Sequence, residues 1–313
     1  MIEVLKAAPY ATVQDLGFPR GRSWGLPPSG AMDPLLLQCG NLAVGNVPSA
    51  AGIEWALGPL MVRFSQETKF AAAAVREVRM DDEPFGQSGL VATAPPGVPI
   101  ALIPLPDTRF SYLAVRGGID VPMVLGSRST YLPGGFGGHE GRRLRNGDRL
   151  ETAGQETDRV RELDRRAVGS SDLGTEEVVL RVTRGPQWEQ FPPSARVLFF
   201  SSRFTVDRAS DRSGFRLAGP AVLPREAATL PSEAACPGAV QLPDNGQPIV
   251  LMPDGPTVGG YPKLAVVIRI DLRLLAQCQP GRPVRFREVT LEEARAGLRA
   301  ETAELGALEA GEG

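Results

Sequence analysis

Glycine and proline interrupt this chain so often that long regular elements are not expected. Its 313 residues include 36 glycines and 29 prolines, about a fifth of the chain against roughly 12% in an average protein. Because both residues favour turns, the composition predicts many short strands and few helices. We therefore expect a mainly β fold built from closed or half-closed barrels.

The length and one polar stretch predict two domains. At about 150 residues per domain, 313 residues are enough for two. Residues 156–177 are polar and charged and lack apolar anchors, which is typical of an interdomain linker. We expect an N-terminal domain over 1–155, a C-terminal domain over 178–290, and a C-terminal helix and tail over 291–313.

Local signals place several elements. Asp33 followed by Pro34 predicts the start of a helix, with the aspartate as its N-cap. Thr290 and Glu293 form a capping-box pattern that predicts a second helix. The apolar runs at 197–200 and 264–272 predict strands.

Charge and hydropathy argue against two classes of partner. The net charge is −2 without a basic block, whereas nucleic-acid binding needs clustered positive charge. No apolar stretch approaches the ~20 residues that span a bilayer, and the N-terminus lacks the pattern of a signal peptide. We expect a cytoplasmic protein that binds neither nucleic acid nor membrane.

Cysteine and histidine usage does not predict a resident metal site. Cys39, Cys236 and Cys278 are far apart and form no C-x-x-C pair, which indicates buried apolar thiols. With His139 as the one histidine, any metal site would rest on carboxylates and suit Mg²⁺ or Ca²⁺. We assign no metal ligands.

The densest group of chemically useful side chains lies at residues 241–263. A short apolar run at 248–252 is flanked by turn residues, which predicts a buried strand between stiff turns. Polar groups at the ends of such a strand can form a site, or can satisfy the backbone of a tight loop. The candidates are Gln241, Gln247, Asp254, Thr257, Tyr261 and Lys263.

Lysine is scarce in this chain. Lysine and arginine together number 34, yet the lysines are Lys6, Lys69 and Lys263 alone. Where arginine is the usual cation, a lysine can mark a position that needs a compact ammonium group. This observation singles out Lys263 among the candidates.

A glycine-rich stretch at 126–148 is the second candidate region. Its backbone N–H groups could cradle an anion with help from Arg142, or the stretch could be a solvent-exposed loop. His139 could serve as an acid or base, or could be structural. Farther along, Asp211 and Arg212 resemble a turn held by an ion pair.

Six motifs, taken in order, resemble one known family. They are TVQDLG (12–17), PPSGAMDP (27–34), GGID-VP (117–122), LGSRSTY-GGFGGHEGR (125–142), SDR-G-RL-GP (210–220) and Q-P-GQPIVLM-D-T-GGYPK (241–263). The chain is identified as a member of the family known as the 5-oxoprolinase C subunit, allophanate hydrolase subunit 2 or Kip-inhibitor antagonist. It is also similar to the carboxyltransferase domain of urea amidolyase.

The resemblance implies a fold, partners and a cofactor. The implied fold is two cyclophilin-like β-barrel domains with few short helices and a C-terminal helix. The implied partners are the B subunit of 5-oxoprolinase, which is a Kip-inhibitor homologue, and the A subunit. Together the three chains would form an enzyme that uses ATP, with Mg²⁺, to open 5-oxoproline to glutamate; a homo-oligomer is a further alternative.

The resemblance also implies site residues. In our interpretation Lys263 clamps a phosphoryl group or oxyanion, and Asp254 is a general base or Mg²⁺ ligand. Tyr261 and His139 are secondary acid–base candidates. The substrate-binding candidates are Gln241, Gln247, Thr257, Gly259, Gly260, Arg128, Arg142, Ser29, Asp33, Asp211 and Arg212. One departure stands out, because Gly255-Pro256 replaces the Arg-Gln that is more common in the family.

Three hypotheses of function remain open on the sequence. The first is a catalytic subunit of an ATP-dependent amide or lactam hydrolase that acts on 5-oxoproline. The second is biotin-dependent carboxyl transfer to urea or another amide, with biotin carried by another chain. The third is a non-catalytic regulator that binds a kinase-inhibitor partner.

Overall fold

The chain forms two compact units. The computed structural model describes residues 1–86, 90–154, 177–225 and 230–310. The first unit comprises Met1–Arg20, Ser29–Ser171 and Glu304–Gly313, and the second comprises Gly21–Pro28 and Asp172–Ala303. Except for Glu177, the predicted linker at 156–177 lies outside the described residues.

Among the described residues, twelve short strands build the first unit. They are β1 (Ile2–Lys6), β2 (Tyr10–Gln14), β3 (Gly52–Ala56), β4 (Leu60–Phe64), β5 (Thr68–Ala73), β6 (Val75–Met80), β7 (Glu83–Gly86), β8 (Leu90–Ala94), β9 (Pro99–Pro104), β10 (Ser111–Val115), β11 (Ile119–Asp120) and β12 (Arg149–Thr152). They form a seven-stranded sheet in the order β11-β12-β1-β4-β9-β6-β7 and a five-stranded sheet in the order β2-β3-β10-β5-β8.

Both sheets contribute to one apolar core. Trp55 on β3 and Phe70 on β5 belong to the five-stranded sheet, and Phe64 on β4 belongs to the seven-stranded sheet; all three are fully buried in the same cluster. Phe64 and Phe70 stack with ring centroids 5.9 Å apart. Large aromatic side chains thus fill the space between the sheets, where apolar burial stabilises the unit.

Helix α1 (Pro34–Ala43) begins as predicted. The Asp33 carboxylate accepts a hydrogen bond from Leu36 N, and Pro34 occupies the first helical turn. Proline costs nothing there because that N–H has no partner within the helix. This confirms the predicted N-cap and gives Asp33 a structural contact.

The second unit contains a closed barrel. Its strands are β13 (Val178–Arg184), β14 (Phe204–Val206), β15 (Gly214–Ala218), β17 (Ala239–Gln241), β18 (Ile249–Leu251), β20 (Lys263–Val267) and β21 (Pro283–Glu288). The order around the barrel is β13-β20-β17-β18-β15-β14-β21. A separate two-stranded ribbon is formed by β16 (Glu233–Ala234) and β19 (Val258–Gly259).

Two predicted strands need correction. The run 197–200 lies in helix α2 (Pro193–Ser201), because Pro193 presets the helical φ and Phe199 packs on Phe286 with ring centroids 4.4 Å apart. The strand predicted over 264–272 ends at Val267, and a 3-10 turn then leads into α3 (Leu272–Ala276).

The C-terminal helix α4 (Leu291–Ala310) confirms the predicted capping box. Glu293 Oε2 accepts from Thr290 N at 2.7 Å, and Thr290 Oγ1 accepts from Glu293 N at 3.1 Å. The mainly β fold class, with few helices and a C-terminal helix, is therefore confirmed. Among the described residues, no helix combines the length and the apolar character needed to cross a bilayer.

Candidate functional site

Lys263 is the buried cation of a polar cluster in the second unit. Its side chain is only 4% exposed, and Nζ lies 2.6 Å from Glu233 Oε1. Gln187 Nε2 donates to the same Glu233 oxygen at 2.6 Å, and Gln187 Oε1 accepts from Lys263 N at 3.0 Å. The ion pair with Lys263, followed by the hydrogen bond from Gln187, lowers the pKa of Glu233.

The glycines of the C-terminal motif make this cluster possible. Gln241 on β17 pairs with Lys263 after a shift in register, and Gly259 on β19 pairs with Glu233 on β16. A Cβ added to Gly259 would lie 2.9 Å from Gln241 Nε2. A Cβ at Gly260 would lie 2.8 Å from the Leu230 carbonyl oxygen. The structure therefore brings together four motif residues: Gln241, Gly259, Gly260 and Lys263.

Asp254 forms a different contact from the one that the sequence suggested. Arg212 donates from Nε to Asp254 Oδ2 at 2.7 Å and from Nη2 to Oδ1 at 2.9 Å. The two side chains are 5% and 3% exposed. Both carboxylate oxygens are thus engaged, a geometry that favours a structural role over that of a base or Mg²⁺ ligand.

Asp211 and Arg212, in which we expected an ion pair within the turn, have different hydrogen-bond partners in the structure. Asp211 Oδ1 instead accepts from Ser213 N at 2.8 Å and from Gly214 N at 3.2 Å. A short acidic side chain commonly binds the backbone two residues ahead in this way. Asp211 shapes the turn, while Arg212 reaches across to Asp254.

The remaining polar residues of the C-terminal motif have separate contacts. Gln247 binds the backbone of Gly219 through both of its amide atoms, at 2.8 and 3.0 Å. Thr257 Oγ1 donates to the Gly25 carbonyl oxygen at 3.0 Å. Tyr261 is 46% exposed and lines a pocket of about 440 Å³ together with Gln247.

In the first unit, a buried aspartate that we did not single out organises the motifs around Arg128. Asp15 Oδ1 accepts from Ser127 Oγ and Ser129 Oγ, each at 2.6 Å, and Oδ2 accepts from Arg128 N at 2.6 Å. The Arg128 guanidinium donates to the Val121 carbonyl oxygen and to Asp120 Oδ1, each at 3.1 Å. Asp15 lies in the TVQDLG motif, which was its one signal in the sequence.

Ser29 and Asp33 are buried in the same unit. Ser29 has a φ of +51°, which is unusual for a residue with a side chain. Asp33 N donates to the Tyr112 hydroxyl at 2.7 Å, and that hydroxyl donates to Glu54 Oε2 at 2.8 Å. Burial, and next the charge of Glu54, raise the pKa of Tyr112.

His139 and Arg142 both approach Asp148. Arg142 donates to the two Asp148 oxygens at 2.7 and 2.9 Å, and His139 Nε2 lies 3.5 Å from Asp148 Oδ1. Burial alone would raise the pKa of Asp148, but bonds from Arg142 and from the Arg145 amide outweigh it and lower the pKa. Asp148 was not among the predicted site residues.

The glycines around His139 serve close packing within their own loop. A Cβ added to Gly137 would lie 2.1 Å from the Ser129 carbonyl oxygen, and one at Gly141 would lie 2.1 Å from that of Gly135. These contacts explain the glycine spacing without an anion. The predicted anion cradle stays a prediction.

Sequence reasoning also missed Gln187 and Glu233. Neither belongs to one of the six motifs, and they precede Lys263 by 76 and 30 positions in the chain. Only the fold of the barrel and its ribbon brings them to the ammonium group. The structure groups the remaining predicted residues into small clusters within one unit or the other.

Comparison with known proteins then identifies the family. The family model described as "Carboxyltransferase domain, subdomain A and B" matches residues 24–288. The chain belongs to this family. Among curated members, the 5-oxoprolinase C subunit of Escherichia coli is 38% identical over 295 residues, which cover 94% of this chain and 93% of that protein. The Haemophilus influenzae protein of the same name is 34% identical over 94% of this chain and 93% of that protein.

Larger members of the carboxyltransferase-domain family contain the same module. Urea amidolyase of Lachancea kluyveri is 32% identical over 99% of this chain but only 18% of its own length. The crystal structure of Kluyveromyces lactis urea carboxylase matches with a TM-score of 0.89 at 27% identity, over 98% of this chain and 29% of that chain. Nearly the whole of this chain therefore aligns with one part of each of those longer proteins.

Proposed function

We propose that this chain is the C subunit of a 5-oxoprolinase that opens 5-oxoproline to glutamate at the expense of ATP. The observation that carries the proposal is the 38% identity to the Escherichia coli protein of that name, which extends over nearly the full length of both proteins. The A and B subunits are the proposed partners, and the cytoplasm is the proposed compartment.

Within this proposal Lys263 supplies the positive charge. Opening a lactam places negative charge on the carbonyl oxygen, and a preorganised cation in a desolvated site stabilises that charge far better than one in water. The Lys263 side chain is 4% exposed, and Gln187 and Gln241 flank its backbone. Tyr261, which is exposed, is the proposed proton donor or acceptor.

Asp254, the Mg²⁺ ligand that the sequence suggested, is not available to a metal ion. No three His, Cys, Asp or Glu side chains among them gather as metal ligands, and Asp254 gives both oxygens to Arg212. A phosphate-bound Mg²⁺ needs one or two available carboxylates. We therefore propose that a partner subunit holds the nucleotide, and we route no step of this chain through it.

The test is an assay of the assembled complex. The chain is co-expressed with its candidate A and B partners, and ATP hydrolysis and glutamate release are measured with and without 5-oxoproline. We expect both to depend on 5-oxoproline and to fall about 100-fold or more in Lys263→Ala, the scale lost with an oxyanion donor. Lys6→Ala, at an exposed lysine, is the matched control and should retain full activity.

Two results would contradict the proposal. ATP hydrolysis that is indifferent to 5-oxoproline would remove the substrate assignment. Full coupled activity in a well-folded Lys263→Ala complex would remove the role of the ammonium.

A second candidate is biotin-dependent carboxyl transfer to urea or another amide. The similarity to urea amidolyase and urea carboxylase favours it. In that reaction Lys263 would polarise the ureido oxygen of a biotin carried by another chain. Carboxylation of urea by the complex, dependent on added biotinylated carrier, would support this function over the first.

A further inference from the structure

The two partners of the Lys263–Glu233 ion pair differ in their exposure to solvent. Its ammonium group is almost fully buried, whereas the Glu233 side chain opposite it is 42% exposed. Glu233 lies on β16, and its partner in the ribbon is Gly259 on β19. The ion pair therefore joins a buried ammonium group to a carboxylate that reaches the surface.

The segment that follows β13 holds the backbone of Lys263 through hydrogen bonds. Gln187 N donates to the Lys263 carbonyl oxygen at 3.3 Å, and Gln187 Oε1 accepts from Lys263 N. A Cβ added to Gly185 would lie 2.2 Å from the same carbonyl oxygen. The third contact of Gln187, to Glu233 Oε1 at 2.6 Å, ties the carboxylate to this frame.

We propose that Glu233 is the positioning residue of Lys263, and that it holds the buried ammonium group charged and aimed at the site. This inference rests on the proposed function, because the role of Lys263 does. A buried ammonium without a counter-charge tends to lose its proton. Glu233 opposes that tendency with a negative charge 2.6 Å from the ammonium nitrogen.

Other charged groups on the elements around β20 are occupied elsewhere. Arg184 on β13 forms an ion pair with Glu288 and lies over the Trp188 ring. Glu189, in the 3-10 turn that packs on β20, pairs with Arg196 at 2.7 Å. Among the described residues, Glu233 is the carboxylate within ion-pair distance of the Lys263 ammonium.

The first test needs neither a partner chain nor turnover. The chain is treated with an acetylating reagent at pH 7.5, and the rate at each lysine is followed by mass spectrometry. Glu233→Gln keeps the shape but removes the charge, so we expect Lys263 to react about five-fold faster or more as free amine becomes available. Lys6 and Lys69 are internal references and should react at unchanged rates.

The matched control for this test is Glu189→Gln. It is the same substitution on an element packed against β20, but its carboxylate pairs with Arg196 rather than Lys263. Its Lys263 rate should equal that of the wild type. A Glu233→Gln protein with unchanged rates at all three lysines would overturn the proposal. Faster reaction of all three would report unfolding, and Glu233→Ala, which also removes the charge, would then replace it.

The second test uses the assembled complex. Glu233→Gln should lower kcat for 5-oxoproline about ten-fold, leave KM within about two-fold, and move the alkaline limb of the pH profile to lower pH. Glu233→Asp should restore the position of that limb, because the charge is restored. An unmoved limb in Glu233→Gln would overturn the positioning role.

Failure of the inference and failure of the proposed function give different results. If the wild-type complex does not turn over 5-oxoproline, the function is wrong, yet the acetylation test still decides whether Glu233 controls the ammonium. If turnover is present but both tests show no effect of Glu233→Gln, the function stands and the inference fails.

Discussion

At the scale of single residues, the Arg212–Asp254 pair shows how a motif residue can be structural. The contact is bidentate and both side chains are almost fully buried. Each charge would be costly to bury alone, so the pair is held together by the penalty of breaking it. A backbone hydrogen bond also joins the two residues, from Asp254 N to the Arg212 carbonyl oxygen at 3.0 Å.

We predict that Asp254→Asn lowers stability more than it lowers chemistry. Leaving Arg212 buried without its counter-charge should reduce the free energy of unfolding by about 3 kcal/mol, measured by urea denaturation. A double variant, Arg212→Met with Asp254→Leu, should recover much of that loss. Unchanged stability with abolished turnover would instead return Asp254 to the catalytic residues.

Asp148 gives a prediction about pH. The pKa of its carboxyl is lowered from the ordinary value of 3.8 in the folded chain. A depressed folded pKa stabilises the protein above the unfolded value, and this contribution is lost as pH falls through the folded value. Asp148→Asn should therefore be less stable than the wild type at pH 7, by about 1–3 kcal/mol.

The pH dependence of that difference is the decisive measurement. Thermal unfolding of the wild type and of Asp148→Asn should show that their difference in stability narrows once the pH falls below 3.8. Asp244→Asn, at an exposed carboxylate, is the control. A gap of constant size from pH 7 to pH 3 would contradict the role assigned to the Asp148 charge.

At the scale of elements, the glycine-rich loop around His139 is a packed structure. Gly137 has a φ of +74° and its added Cβ would meet the Ser129 carbonyl oxygen at 2.1 Å. Gly135 has a φ of +64°, but its added Cβ would meet no described atom within 4 Å. Substitutions at these two positions therefore distinguish the cost of a left-handed φ from the cost of a clash with neighbouring atoms.

We predict that Gly137→Ala is much more damaging than Gly135→Ala. The second change adds only the strain of a left-handed alanine, about 1 kcal/mol. The first adds a clash with backbone that cannot move aside, and should cost about 3 kcal/mol or more. Equal melting temperatures for the two variants would show that the loop yields, contrary to this packing.

Elements also show where the sequence was sufficient. The starts of α1 and α4 were predictable because each N-cap signal lies within four residues. Helix α2 was not, because Phe199 and Phe200 favour strands locally, and the helix is decided by packing on distant Phe286. The candidate site was predictable only in part. Lys263 lies in a motif, whereas Glu233 comes into contact with it only through the β16–β19 ribbon.

At the scale of the whole molecule, relatives with different names and lengths contain the same module. The chain covers 93% of the Escherichia coli 5-oxoprolinase C subunit but only 18% of Lachancea kluyveri urea amidolyase. A module shared by proteins of such different length has a fold that does not by itself fix the chemistry. Lactam opening and carboxyl transfer must then be distinguished by measurement on the assembled complex.

The two candidate functions make opposite predictions about avidin, which captures biotin. If the complex opens 5-oxoproline directly, excess avidin should leave 5-oxoproline-dependent ATP hydrolysis within about two-fold of the untreated rate, because no step needs biotin. Avidin already saturated with biotin is the control for nonspecific effects. Loss of activity with unsaturated avidin would mean that the reaction needs a biotin carrier. The Lys263 ammonium would then stabilise charge on a ureido oxygen of biotin instead of on a lactam oxygen.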